Sequence, residues 1–209
     1  MDVQLWLAFV AASTALLLIP GPTVLLVLSY AISQGRRVAI ATVCGVALGD
    51  FIAMSASLAG LGAVVLASAT LFTALKWLGA VYLVYLGIKL LRSASTASLG
   101  DLAEATDTSP SHVFGHAAAV TALNPKSIVF FIAFVPQFVA LDSPLLPQFT
   151  ILVATFVGLA ALNALAYALL ADKLRRKIAR PSVLAWFSRL GGSALIAMGV
   201  ATAAFKRAQ

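Results

Sequence analysis

The sequence Ile19-Pro20-Gly21-Pro22-Thr23 interrupts an apolar stretch, 3–33, that contains no charged residue. Two prolines remove two backbone donors and the glycine permits unusual dihedral angles, so a helix breaks at this point. At membrane depth a broken helix is stable only where it lines a cavity or is covered by protein. The motif therefore predicts a broken membrane helix beside a cavity, with a simple kink between packed helices as the alternative.

The composition around this motif is that of an integral membrane protein. Of 209 residues, 62% are hydrophobic and only 10% are charged, with a mean hydropathy of +1.03, whereas about 25% of residues are charged in soluble domains. This apolar content suffices for roughly six spans of about 20 residues. We expect one all-α transmembrane domain over 1–209, with spans near 5–33, 39–64, 70–91, 113–140, 146–171 and 186–205. The turn between the second and third spans is expected near Gly60, Gly62 or the Ser68/Thr70 region.

The basic residues give these spans a predicted sidedness. Nine lie in the connections after spans 1, 3 and 5, whereas Lys76, Lys206 and Arg207 lie on the opposite side. By the positive-inside rule this bias predicts cytoplasmic odd-numbered loops and termini outside. The nine residues are Arg36, Arg37, Lys89, Arg92, Lys173, Arg175, Arg176, Lys177 and Arg180.

An internal repeat divides the chain into about 1–91 and about 113–209, joined by a polar linker, 92–112, predicted to be cytoplasmic. Leu78-Gly79-Ala80 with Gly87 recurs 112 residues later as Leu190-Gly191-Gly192 with Gly199. Gly45 and Asp50 recur as Gly158 and Asn163, at an offset of 113. Because each unit has three spans, the second must be inverted relative to the first, which is the architecture of many secondary transporters.

The second repeat carries its own helix break at Asn124-Pro125-Lys126. Asn124 is a favourable N-cap, Pro125 suits the first helical position, as does Pro22, and Lys126 adds a positive charge. Two half-helix starts with a lysine between them favour an anion such as a carboxylate.

Asp50 is the one acidic residue inside a predicted span. An ionisable group at the bilayer centre costs about 2.5–3.5 kcal/mol on insertion scales, so we expect Asp50 to face the bundle interior. It is predicted either to carry a coupling proton or to receive a substrate amino group, with Asn163 as its uncharged counterpart. A permanent Asp50–Lys126 ion pair that only fixes packing is the alternative.

Glycines recur at spacings typical of close helix packing, and Phe130, Phe131 and Tyr82 are candidate walls of a cavity. One cysteine and two histidines argue against a redox pair or a metal cluster, so no cofactor, no metal and no enzymatic activity are expected. The scattered basic residues are read as topology determinants rather than a nucleic-acid site. The predicted packing glycines are Gly45, Gly49, Gly79, Gly87, Gly191 and Gly199.

Taken together, several motifs resemble the lysine exporter family, LysE/RhtB, of bacterial amino-acid efflux proteins. The resemblance implies a six-span inner-membrane exporter of amino acids or related small metabolites, driven by proton antiport, and oligomeric in many members, so a homo-oligomer is one expectation. An exporter of another small solute or cation, a passive channel and an intramembrane enzyme are the alternatives. The motifs are Pro20-Gly21-Pro22, Gly45 to Asp50, Lys76 to Gly87, Asn124-Pro125-Lys126 and Pro136-Gln137-Phe138. The functional positions that the family implies are Pro20, Gly21, Pro22, Asp50, Asn124, Pro125 and Lys126.

Overall fold

The computed structural model describes residues 2–18, 21–67, 69–93, 109–140, 143–171 and 181–204. In these ranges every regular element is helical, as predicted, and no strand occurs. The linker at 94–108 and the basic segment at 172–180 lie outside them. The helices are α1 (Val3–Leu18), α2 (Pro22–Ala67), α3 (Ala69–Ser93), α4 (Pro110–Ala122), α5 (Pro125–Val129), α6 (Leu145–Leu169) and α7 (Pro181–Ala204).

Both proline motifs coincide with helix breaks. The axis bends by 58° between Val3–Leu18 and Thr23–Ala31, and by 42° between Pro110–Ala122 and Pro125–Phe138. Pro22 and Pro125 are the first residues of α2 and α5, where a missing backbone N–H costs no hydrogen bond.

By length and composition, two of the described helices could cross a membrane, namely Arg37–Ala63 and Leu145–Leu169. If each bent pair counts as one span, the number rises to four. Trp77–Lys89 and Arg189–Val200 are apolar but shorter. The structure therefore has the character of a membrane protein, whereas the count of six spans stays a prediction.

The helix assignment of α2 continues through the connection predicted at Arg36-Arg37, but the two parts of α2 on either side of it lie side by side. Thr23, in the first turn of α2, bonds to Asn124, and Gly49 lies against Thr121, three residues before Asn124. A straight helix would hold Thr23 and Gly49 about 39 Å apart, so the chain reverses its direction between them. Val27 and Val46 pack in one cluster, and the predicted connection lies between them. Gly60 and Gly62 likewise lie within α2, and the next helix begins at Ala69.

Helix backbones approach one another closely at the glycines. A Cβ atom on Gly49 would lie 2.6 Å from the carbonyl oxygen of Ala118, so α2 and α4 touch backbone to backbone. Gly45 meets Phe114 in the same interface, and Gly79 meets Ala133. Such contacts require a residue without a side chain.

The α3–α7 interface is built in the same way. A Cβ atom on Gly87 would lie 2.6 Å from the carbonyl oxygen of Gly192, and one on Gly199 would lie 2.7 Å from that of Ala80. Gly191 is also buried. Gly192, which is absent from the predicted packing set, also lies in this interface, and a Cβ atom there would lie 2.7 Å from the carbonyl oxygen of Gly87.

A cluster of aromatic rings, which we call the Phe cluster, fills the core beyond α5. After Val129 the backbone changes to a π-helical turn, Phe130–Phe134, and then to a 3₁₀ turn, Val135–Phe138. Successive ring centroids are 4.8 to 6.0 Å apart, which is the range of favourable aromatic contacts. The cluster consists of Phe9, Phe130, Phe131, Phe134, Phe138 and Phe156.

Candidate functional site

A cavity lies where the two broken helices meet. It encloses about 460 Å³ of space between atoms, including the part that is open to the outside. Its walls come from the end of α1, the start and middle of α2, the start of α5 and the C-terminal half of α6. Both halves of the chain therefore contribute to one site.

The cavity brings together five of the eight predicted site residues, namely Gly21, Asp50, Asn124, Lys126 and Asn163. Of the other three, Pro22 follows Gly21 as the first residue of α2, and Pro125 lies between Asn124 and Lys126 as the first residue of α5. Pro20 lies outside the described residues.

Asn124 links the two helix breaks. Its side-chain oxygen accepts a hydrogen bond from the backbone N–H of Lys126 at 3.1 Å, which is N-cap geometry for α5. Its Nδ2 donates to the hydroxyl of Thr23, in the first turn of α2, at 3.2 Å. The side chain is only 4% exposed. One buried amide thus caps one half-helix and is tied to the start of the other.

The end of α1 is held by side chains from the second half of the chain. Lys126 Nζ donates to the carbonyl oxygen of Leu16 at 3.3 Å, and Asn163 Nδ2 donates to that of Leu17 at 3.1 Å. The hydroxyl of Tyr167 donates to that of Leu18 at 3.3 Å. A helix leaves its last four carbonyls without partners in the helix, and these groups need donors in apolar surroundings.

Two opposite charges share the cavity. Asp50 is 3% exposed and lines the same space as Lys126, and the two groups attract each other electrostatically. Asp50 therefore faces the protein interior, where a lone carboxylate would be costly without a cationic neighbour. Whether the pair works in transport or only fixes packing stays a prediction.

The apolar walls differ from those predicted. Phe130 and Phe131 are fully buried in the Phe cluster, so the prediction that they line the cavity is wrong. Aliphatic side chains form the apolar walls instead, with Leu16 and Leu17 of α1 beside a set of small and β-branched residues. This set consists of Val24, Val27, Val46, Ala160 and Ala164.

Three polar residues that line the cavity were not predicted as site residues from the sequence, namely Thr23, Ser127 and Tyr167. Tyr167 follows Asn163 by four residues on α6, so both share one helix face, and this spacing is a usable signal. Within the described part of the chain, no group of three His, Cys, Asp or Glu residues is placed to hold a metal ion.

Apolar broken helices around a central polar cavity define a class of membrane proteins that handle small solutes. The family model described as "LysE type translocator" matches residues 14–204. The chain therefore belongs to this family and is a membrane translocator rather than an enzyme.

Two of the curated relatives extend over essentially the whole chain. An uncharacterized membrane protein of Vibrio cholerae is 34% identical over 99% of this chain and 100% of its own length. A homoserine/homoserine lactone efflux protein of Salmonella typhimurium is 33% identical over the full length of both chains. A leucine efflux protein of Salmonella choleraesuis is 33% identical over 65% of this chain and 64% of its own length. No solved structure matches the chain significantly.

Proposed function

We propose that this protein exports amino acids, or closely related small metabolites, from the cytoplasm by proton antiport. The family membership and the two named efflux relatives support amino-acid export. The observation that carries the proposal is the placement of Asp50 and Lys126 in one cavity at the two helix breaks. A zwitterion presents one charge of each sign, and the cavity offers the complement of both.

The name of the Salmonella typhimurium relative points to one recognised group. Homoserine and homoserine lactone both carry a free amino group, whereas only homoserine has a free carboxylate. A transporter of both compounds must therefore hold the ammonium group and tolerate the loss of the carboxylate. If this chain shares the property, its amino-group subsite is the more selective one.

In the proposed complex Lys126 and the half-helix starts at Pro22 and Pro125 attract the substrate carboxylate. Asp50 either binds the substrate amino group or carries the exchanged proton. Val24, Val27 and Ala164 accommodate an aliphatic side chain. Each role follows from charge and position in the cavity.

The proposed architecture is one domain over 1–209, with six spans as two inverted repeats. Its main support is the α3–α7 interface. At the repeat offset of 112, Gly87 corresponds to Gly199 and Ala80 corresponds to Gly192. The contact of Gly87 with Gly192 and the contact of Gly199 with Ala80 are therefore symmetry mates of each other. A two-fold relation between repeats produces such a pair of contacts.

The symmetry is weaker at the cavity itself. A Cβ atom on Gly45 would meet the backbone of Phe114, whereas one on its counterpart Gly158 would meet nothing within 4 Å. Asp50 likewise corresponds to the uncharged Asn163. One half is therefore more tightly packed and charged, which suits a transporter in which the halves have different tasks.

We further propose an inner-membrane location with cytoplasmic odd-numbered loops and external termini. In this orientation the cavity opens toward the cytoplasm, and the Phe cluster closes the outer end, because α5 leads from Ser127 in the cavity to Phe130 and beyond. Alternating access then requires the Phe cluster to open as the inner side closes.

The decisive experiment is efflux from proteoliposomes loaded with the twenty amino acids, with and without an imposed pH gradient. We expect a small set of amino acids to leave the wild-type vesicles faster with the gradient and the Asp50→Asn variant to lose this acceleration. Asp2→Asn is the matched control, because Asp2 is exposed ahead of α1. Selective efflux without gradient dependence would favour a channel, and no selective efflux would refute amino-acid export.

A further inference from the structure

The ammonium group of Lys126 is hydrogen-bonded to a backbone carbonyl oxygen, an acceptor that any primary ammonium group can use. It donates to the carbonyl oxygen of Leu16 at 3.3 Å, in the last turn of α1, where the helix dipole is negative. Asp50 adds its negative charge to the same region. Carbonyl oxygens at a helix end together with a nearby carboxylate form a cation site.

The neighbouring carbonyls are not available for a ligand in the same way. Those of Leu17 and Leu18 receive hydrogen bonds from Asn163 and Tyr167 on α6, which are neutral donors anchored in another helix. The Leu16 carbonyl alone takes its hydrogen bond from a flexible charged side chain. Lys126 has four rotatable carbon bonds and can swing away, whereas Asn163 is short.

Gly21 provides room for this ammonium group. A Cβ atom at Gly21 would lie 3.3 Å from Lys126 Nζ, which is tighter than most contacts of real Cβ atoms. The cation position is thus bounded by Leu16 and Gly21 on either side of the first helix break, and it lies on the wall of the cavity.

We propose that Lys126 occupies, as a tethered ammonium, the subsite that receives the substrate's amino group, and that substrate binding displaces it. The substrate amino group then takes the hydrogen bond to the Leu16 carbonyl, near Asp50. The released Lys126 pairs with the substrate carboxylate. This inference rests on the proposed export of amino acids and assigns a position to each charged group of the substrate.

The exchange leaves no charged group without a partner. A zwitterion supplies an ammonium for the Leu16 carbonyl and a carboxylate for Lys126 in one step. An amine without a carboxylate displaces Lys126 but offers it nothing in return, so it binds more weakly. A carboxylate without an amino group cannot fill the cation position, so it does not displace Lys126.

The test uses an amino acid that the efflux assay shows to be exported, in three forms: the free acid, its amide and its N-acetyl derivative. For leucine these are leucine, leucinamide and N-acetyl-leucine. Binding is measured by calorimetry on the full-length protein in lipid nanodiscs. In the wild type we expect the free acid to bind most tightly, the amide more weakly, and the N-acetyl derivative not at all.

Lys126→Met removes the ammonium group that competes with the substrate's amino group for the Leu16 carbonyl. We expect the affinity of the amide to rise at least tenfold, while the preference for the free acid over the amide disappears. Lys89→Met is the matched control, because Lys89 is exposed on α3 outside the cavity, and it keeps the wild-type order. Lys126→Gln, which also lacks the ammonium, replaces Lys126→Met if the methionine variant does not elute as a single folded species.

An amide affinity that is unchanged or weaker in these variants overturns the inference. If neither variant folds, the wild-type order decides, since N-acetyl derivatives that bind as well as the free acid also overturn it. Both results leave amino-acid export intact. If no amino acid is exported at all, the proposed function and this inference fail together.

Discussion

At the scale of single residues, the cavity depends on side chains that complete the backbone hydrogen bonding of a broken helix. Lys126, Asn163 and Tyr167 each serve one carbonyl of the last turn of α1. A carbonyl without a donor costs about 1–3 kcal/mol when it is buried, and the chain end of α1 cannot supply its own donors. These three residues therefore stabilise the helix break in the state that the structure shows.

Asn163→Leu should destabilise the protein by about 1–3 kcal/mol, because the Leu17 carbonyl loses its donor while the volume of the side chain is retained. The measurement is the melting temperature of the purified protein in detergent. Thr150→Val is the matched control on the same helix, since Thr150 is exposed and donates to the carbonyl of Leu146 within α6. Equal melting temperatures for the two variants would show that the Leu17 carbonyl needs no protein donor.

At the scale of helices, glycine positions determine how closely α2, α3, α4 and α7 approach. The contacts are made by backbone atoms, so an added methyl group has no flexible neighbour to displace. Lipid chains are as apolar as the helix surfaces, and close van der Waals packing is therefore a main source of helix association in membranes.

Gly87→Ala should lower stability by about 1–3 kcal/mol, because its Cβ atom would lie 2.6 Å from the backbone of Gly192 and the helices would have to separate. Gly60→Ala is the matched control, since nothing lies within 4 Å of its Cβ position, and we expect no loss there. Thermal unfolding in detergent measures both. A Gly87→Ala variant as stable as Gly60→Ala would mean that the α3–α7 contact contributes little.

The Phe cluster is the element that closes the cavity at one end. Phe131 is fully buried, and its ring centroid lies 4.8 Å from that of Phe156 on α6. Phe131→Ala should open a path between the helices, so amino-acid leak without a gradient should rise severalfold in the proteoliposome assay. Stability should also fall by about 3–5 kcal/mol. Phe51→Ala is the control, since Phe51 is 51% exposed on α2, and a leak equal in both variants would exclude the cluster as the barrier.

At the scale of the whole molecule, the sequence predicts the features that follow from backbone chemistry. The breaks at Gly21-Pro22 and Asn124-Pro125 were predictable because proline and an N-cap residue act locally. The end of α2 near Ser68 was predicted to within a few residues. Asp50 was predicted to face inward because an ionisable group is costly in lipid.

What could not be predicted depends on contacts between distant residues. The hydrogen bond from Lys126 to Leu16 joins positions 110 residues apart in the sequence. The hydrogen bond from Tyr167 to Leu18 joins positions 149 residues apart. The π-helical turn at Phe130–Phe134 follows from how six aromatic rings pack, which no local pattern specifies.

The orientation of the whole molecule yields the last prediction. Cys44 is the single cysteine, so Cys44→Ala gives a background on which new cysteines report their side of the membrane. Ser111 lies at the start of α4 and Ser143 just before α6, and both are exposed. Inverted repeats with cytoplasmic odd-numbered loops place these two positions on opposite sides, because the α4–α5 pair then crosses the membrane once between them.

A membrane-impermeant maleimide added to intact cells should therefore label Ser143→Cys and should label Ser111→Cys only after the membrane is permeabilised. The opposite pattern would reverse the orientation and turn the proposed exporter cavity toward the outside. Labelling of both positions from one side would mean that the α4–α5 pair re-enters rather than spans the membrane. In that case the two repeats cannot be inverted copies, since the second would lack its first crossing.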